Sequence, residues 1–226
     1  MNKSNKKAAI LILCFSFILF GNVLYAEDKN MSLSETMIIG KEEYALPCAL
    51  DTFLKNGWKI SEKRFYMHPL HNKDWYEVRY TLSCKENGAK LIPWGTAIRT
   101  LEKNGSFLEV EIENRSKKIA AVEDSTVQAI LVLRTYIKED VKLKNGLSLQ
   151  NFKMEELWKN GEQQKYPFSE GWQLSQTDYI KESGFFEEEF YKITEHKKQS
   201  VTFYYDKKMS LLGLELRNEV DGNKLR

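Results

Sequence analysis

Thiols and imidazoles are scarce in this chain of 226 residues, which holds three cysteines and three histidines. His68 and His71, in YMHPLHNKDW, stand three apart. On a helix that spacing lets two imidazoles share a metal ion. Pro69 lies between them and opposes a helix, and Asp74 is the nearest acid. The stretch reads as an exposed loop, and no metal site is expected. Cys48 could form a thiol–imidazole pair with His68 or His71, the arrangement that activates a cysteine nucleophile. That makes a cysteine- or metal-dependent hydrolase the alternative reading of function. His196, in TEHKKQ, falls in a polar turn between strand patterns. Glu187, Glu188 and Glu189 follow one another directly, and on a strand they point alternately. They cannot form a carboxylate pair at glycosidase spacing, so they read as a solvated edge. The chain has no G-x-S-x-G, and its five Asn-Gly pairs lack the spacing of a phosphate loop. No catalytic residue, metal or cofactor is expected.

The ends say where these groups are used. Lys3, Lys6 and Lys7 precede the apolar run AAILILCFSFILF, and GNVLYA leads to Ala26. Basic, apolar and then small residues are the order of a secretory signal. Residues 1–26 are therefore read as a signal peptide and 27–34 as a flexible leader, in a secreted or envelope-associated protein. A membrane contact is expected only through the signal segment, if it is retained. Cys14 lies inside the apolar run after Leu13, which does not suit a lipidation site. Removing three lysines from the 34 basic residues leaves 31, against 32 acids, a formal charge of −1. Nothing in that balance favours nucleic acid, which demands a basic stripe. An exported chain with two remaining cysteines suggests a Cys48–Cys84 disulfide. Its loop of roughly 37 residues would contribute about 4 kcal/mol.

Pattern along the chain places these residues on elements. ETMII and EEYAL flank a Gly40-Lys41 turn. Pro47 suits the first turn of a helix, and ALDTFLK sets Leu50, Phe53 and Leu54 on one face. Trp58 is expected to fold back onto that helix. WYEVRYTL alternates, as does SFLEVEIEN, with Leu108, Val110 and Ile112 inward and Glu109, Glu111 and Glu113 on a wet acidic face. STVQAILVLRTYI reads as a central strand. NGLSLQNFKMEELWKNG reads as a turn and a second short helix, capped by Asn151, with Phe152, Leu157 and Trp158 inward. GFFEEEFYKITEH, QSVTFYYD and MSLLGLELRN read as three antiparallel strands, with Lys207-Lys208 in the last turn. Lys-Asn-Gly occurs four times. At 55–57 and 159–161 it should close helices, at 103–105 it should form a tight hairpin turn, and at 144–146 it marks a junction. The expected fold is α+β, with two small modules over 35–140 and 141–226, each a short helix packed on an antiparallel sheet.

GKEEYALPCALDTFLKNGW, at 40–58, resembles the opening of small exported proteins and lipoproteins of clostridial-type Gram-positive bacteria. Those begin with a Gly-Lys-x-Tyr-x-Leu-Pro hairpin and a short helix ending in Gly-Trp. NGSFLEVEIENRSKKIAAVEDSTVQAI, at 104–130, resembles their middle portion. GLSLQNFKMEELWKNG followed by VTFYYDKKMSLLGLEL resembles the BamE-like and β-lactamase-inhibitor-protein-like fold. This chain departs from that pattern after Gly161, where EQQKYP replaces Gly-x-Pro. The resemblance implies no enzyme activity, and such relatives bind proteins through the sheet or its loops. Aromatics occur on both faces of QSVTFYYD. Phe185, Phe186, Tyr204 and Tyr205 are therefore the candidate anchors for an unknown protein partner. The leading expectation is an exported, non-enzymatic interaction protein. A purely structural envelope component is a further alternative.

Overall fold

The run TVQAILVL is β-branched and apolar almost throughout, and it forms the eight-residue strand at the heart of the largest sheet. The computed structural model describes residues 36–62, 90–154, 158–159, 162–163, 172–180, 185–194 and 197–220. Its strands are β1 (Thr36–Ile39), β2 (Glu42–Ala45), β3 (Cys48–Ala49), β4 (Lys59–Ile60), β5 (Lys90–Leu91), β6 (Thr96–Lys103), β7 (Ser106–Glu113), β8 (Ala120–Ala121), β9 (Thr126–Leu133), β10 (Val141–Leu143), β11 (Trp158–Lys159), β12 (Glu162–Gln163), β13 (Gln173–Ile180), β14 (Phe185–Thr194), β15 (Lys197–Asp206) and β16 (Leu211–Val220). The single α-helix among the described residues is α1 (Leu50–Lys55). Nine strands make one antiparallel sheet in the order β13-β14-β15-β16-β9-β7-β6-β4, with β3 also paired to β9. A three-stranded sheet runs β10-β1-β2, and β5–β8 and β11–β12 form two short ladders.

One face of the large sheet is apolar. Leu108, Val110 and Ile112 of β7, Ile130 and Val132 of β9, Val201, Phe203 and Tyr205 of β15, and Leu214 and Leu216 of β16 share one buried cluster. Met37, Ile39, Tyr44, Val141 and Leu143 of the small sheet, with Leu50 and Phe53 of α1, belong to the same cluster. Six residues make too short a helix to stand alone, and packing holds α1 in place. Phe53 stacks on Tyr44 with centroids 4.0 Å apart. Trp58 folds back as expected: its backbone N–H donates to the Phe53 carbonyl, and its indole donates to the Tyr44 hydroxyl at 3.1 Å. Gly57 takes φ +86°, the left-handed value that a residue closing a helix requires.

The α+β expectation is met only in its sheets. The architecture is mostly β, antiparallel, with one short helix. The second short helix, expected after an Asn151 cap, is not among the described elements. Trp158 and Lys159 are extended instead and pair with Gln163 and Glu162. Lys159 is therefore in a strand rather than at the end of a helix, and Asn160 and Gly161 lie outside the described residues. The spans 35–140 and 141–226 do not carry separate sheets, because β9 is hydrogen-bonded to β16 from Leu133–Gly213 to Ala129–Arg217. Pro47 is outside the helix, after a cis Leu46–Pro47 bond. The hairpin at Asn104-Gly105 has φ values of +52° and +76°, the mirror-type turn that Asn-Gly favours. The expected strand WYEVRYTL lies outside the described residues.

Gly213 faces Leu133 and Tyr204 across the two neighbouring strands. A Cβ there would clash with Leu133 Cδ2 and come within 3.1 Å of the Val132 carbonyl oxygen. Gly213→Ala should therefore lower stability by roughly 1–3 kcal/mol in chemical denaturation. An unchanged midpoint would contradict this packing.

Candidate functional site

The other face of the large sheet follows from the strand registers, because directly opposed residues share a face. One row runs Glu189, Thr202, Glu215, Leu131, Glu109 and Thr100. The next runs Tyr191, Ser200, Arg217, Ala129, Glu111 and Ile98. Arg217 is the hub. Its Nε and Nη2 donate to Glu215 Oε1 at 3.0 and 2.7 Å. Its Nη1 donates to Glu111 Oε2 at 2.8 Å and to Glu219 Oε1 at 3.2 Å. Gln128 Nε2 donates to the other Glu111 oxygen at 3.3 Å, and the Tyr204 hydroxyl donates to Glu215 Oε2 at 2.9 Å. Farther out, Lys198 pairs with Glu189 at 3.2 Å and lies 5.7 Å over the Tyr191 ring, whose hydroxyl donates to Gln173.

Burial makes this network more than a surface lattice. The Glu215 side chain is 7% exposed, that of Glu111 is 11% and that of Arg217 is 21%. Burial disfavours the Arg217 charge, but the carboxylates of Glu215 and Glu111 outweigh it and hold the guanidinium pKa well above its ordinary value. Burial, reinforced by the negative charges of Glu215 and Glu187, raises the Tyr204 phenol far above its usual range. It therefore remains a proton donor to Glu215. The arrangement fixes charge and donors in place, and it holds no activated nucleophile.

The expected site residues are divided rather than gathered. Tyr204 is 1% exposed on the charged face, whereas Tyr205 is 3% exposed in the apolar core. Neither is presented to a partner. Phe186 is partly buried and stacks on Tyr205 at 5.2 Å. The Tyr205 hydroxyl donates to the fully buried Glu188 at 3.1 Å. Phe185 opens β14 opposite Asp206, and its side chain lies outside the described residues. The three glutamates alternate as expected, but they do not make a solvated edge, because β14 runs between β13 and β15. Nor is the acidic face of β7 wet, since Glu109 is buried and Glu111 is held by Arg217. Arg217 itself was invisible in MSLLGLELRN, where the strand pattern treats it as an outward polar residue. The recurrent Glu-x-Glu on alternating strands was the one signal that a counter-charge was needed.

Cys48 lies in β3 as a free, half-buried thiol packed against the core, and its expected bridge partner is not among the described residues. Cys84, His68, His71 and His196 lie outside the described residues. Burial pushes the Cys48 thiol up to about 11, which leaves it protonated at neutral pH. Among the described residues, no group of three or more His, Cys, Asp and Glu could hold a metal ion. No helix among them is long and apolar enough to cross a membrane.

No family model matches the chain. No curated protein and no solved structure matches it either.

Removing the hub leaves buried carboxylates uncompensated. Arg217→Met should cost about 3 kcal/mol in urea unfolding. Adding Glu215→Gln should cost less than the two single changes summed, by about 1 kcal/mol or more. Strict additivity would show that the pair is not coupled. Separately, mass spectrometry of the folded protein at pH 8 should find Cys48 alkylated roughly a hundredfold more slowly than an unburied thiol. Fast modification would contradict its burial.

Proposed function

We propose that this is an exported, non-enzymatic binding protein acting at the cell envelope or outside the cell. Its contact with a protein partner is through the charged face of β14, β15 and β16. The observation that carries this reading is the Arg217 hub, which locks Glu111, Glu215 and Glu219 in fixed positions. Side chains already ordered lose little further entropy when a partner docks, so more of the interaction is realised as affinity. Glu187, Glu189, Glu215 and Glu219 outnumber Lys198 and Arg217 on this part of the face. The complementary partner surface is basic. Glu189, Tyr191, Lys198 and Glu219 stand at the more accessible margin and replace Tyr204 and Tyr205 as candidate anchors.

Two further considerations support the reading. The basic, apolar and small-residue order of residues 1–26 suits export. A thiol held protonated by burial is a poor nucleophile, which favours binding over the hydrolase alternative. The resemblance to exported proteins of clostridial-type bacteria points the same way and is carried as part of this proposal.

The test is a photo-crosslinking residue placed at Tyr191, with a second placed at Tyr136 as control, followed by capture from the native envelope fraction. A partner should be trapped from position 191 and not from 136, and Glu189→Lys should abolish the adduct. Trapping that is equal at both positions, or indifferent to Glu189→Lys, would overturn the assignment.

A further inference from the structure

Three of the most exposed large apolar side chains among the described residues are isoleucines: Ile193 at 68%, Ile119 at 64% and Ile92 at 53%. One exposed isoleucine calls for no explanation. These three share one end of the large sheet. Thr194 pairs with Lys197, Lys197 with Val220, Glu113 with Thr126, and Thr96 with Glu113, so those strand termini lie along one edge. Ile193 sits at the β14 terminus. Ile92 and Ile119 sit in the segments that lead into β6 and out of β7. Leu91 pairs with Ala120, which sets Ile92 beside Ile119. The two groups are four strand spacings apart, about 19 Å.

The Ile92–Ile119 pair is held rigidly. Asn114, buried at the end of β7, donates its Nδ2 to the carbonyl oxygens of Leu91, Ile92 and Lys118 at 2.9, 3.1 and 2.8 Å. Its carbonyl oxygen accepts from the Trp94 N–H at 2.8 Å, and its Oδ1 accepts from the Ser116 N–H at 3.0 Å. One buried side chain thus fixes both loops with their isoleucines outward and Trp94 half-exposed between sheet and solvent. Exposed lysines stand near them in the chain, Lys90, Lys117 and Lys118 by the pair and Lys197 by Ile193, with the half-buried Lys192 alongside and the exposed acids Glu123 and Asp124 just before β9.

We infer that this end of the sheet docks on an anionic lipid surface; Ile193 lies opposite Lys198, so the contact adjoins the margin of the proposed partner-binding face. Separated apolar tips amid lysines suit a bilayer, which takes up each side chain individually while the ammonium groups meet headgroup phosphates. A protein interface instead gathers its anchors into one close-packed centre. The half-exposed tryptophan also suits the membrane–water boundary. This contact is additional to the one expected of the signal segment.

The experiment uses the chain beginning at Glu27, which keeps every element described above and the compact unit Met31–Arg226. Sedimentation with equimolar phosphatidylglycerol–phosphatidylcholine vesicles should show binding that falls at least tenfold on pure phosphatidylcholine, and again on raising salt (roughly, by the lysine charges involved). The triple variant Ile92→Ser, Ile119→Ser, Ile193→Ser should bind about tenfold more weakly or less, with unchanged circular dichroism. Lys117→Glu with Lys118→Glu should lose about tenfold. Absence of binding to the anionic vesicles, or undiminished binding by the triple variant, would overturn the inference. Retention on polyglutamate without vesicle binding would overturn it too and assign the surface to an acidic protein.

Discussion

Arg217 reaches over β9 to Glu111 on β7, while its own strand supplies Glu215 and Glu219. That single guanidinium makes the register of three strands interdependent. A slip of one residue in β16 would turn Arg217 into the apolar core and Leu216 onto the charged face. Buried ion pairs are a weak source of net stability, because desolvation consumes most of the attraction. Their value here is in what they forbid: any pairing that leaves Glu215 or Glu111 buried without a guanidinium.

The opposite face has a different logic. It buries apolar side chains under a second layer built from the β10-β1-β2 sheet and α1, the two-layer solution expected of a sheet with one greasy face. Asn218 on β16 donates to the Leu46 carbonyl and ties the two layers through a polar contact at 2.6 Å. Tyr204 and Tyr205 show the division at its sharpest. Adjacent in sequence, they donate to Glu215 and Glu188 on opposite sides of the same sheet. Their low exposure is what removed them as surface anchors.

Much of the strand pattern was legible locally. The alternation in SFLEVEIEN, the continuous run of β9, the final three strands and the turns at Gly40, Gly57 and Asn104-Gly105 all rest on side-chain period and backbone tolerance. What failed was set by distant partners. Glu109 and Glu111 look solvated until β16 brings Arg217 to them from 106 residues away. NFKMEELWKNG has spacing that fits a helix, yet Trp158 and Lys159 gain ladder hydrogen bonds from Gln163 and Glu162. The boundary drawn at 140 followed a change of local pattern and could not register that β9 takes its neighbour from the far end of the described chain. Of the charged site, only the excess of glutamate on alternating positions was visible.

That last pairing bears on how the protein reaches its native state. β9 lies between β7 and β16, and β16 is the last described strand to be synthesised. Until it emerges, the middle of the sheet has an open edge, and the carboxylates of β7 lack their counter-charge. Such long-range closure slows folding relative to local contacts. A chain that cannot complete its sheet early stays threadable for longer, a property that the proposed export would use.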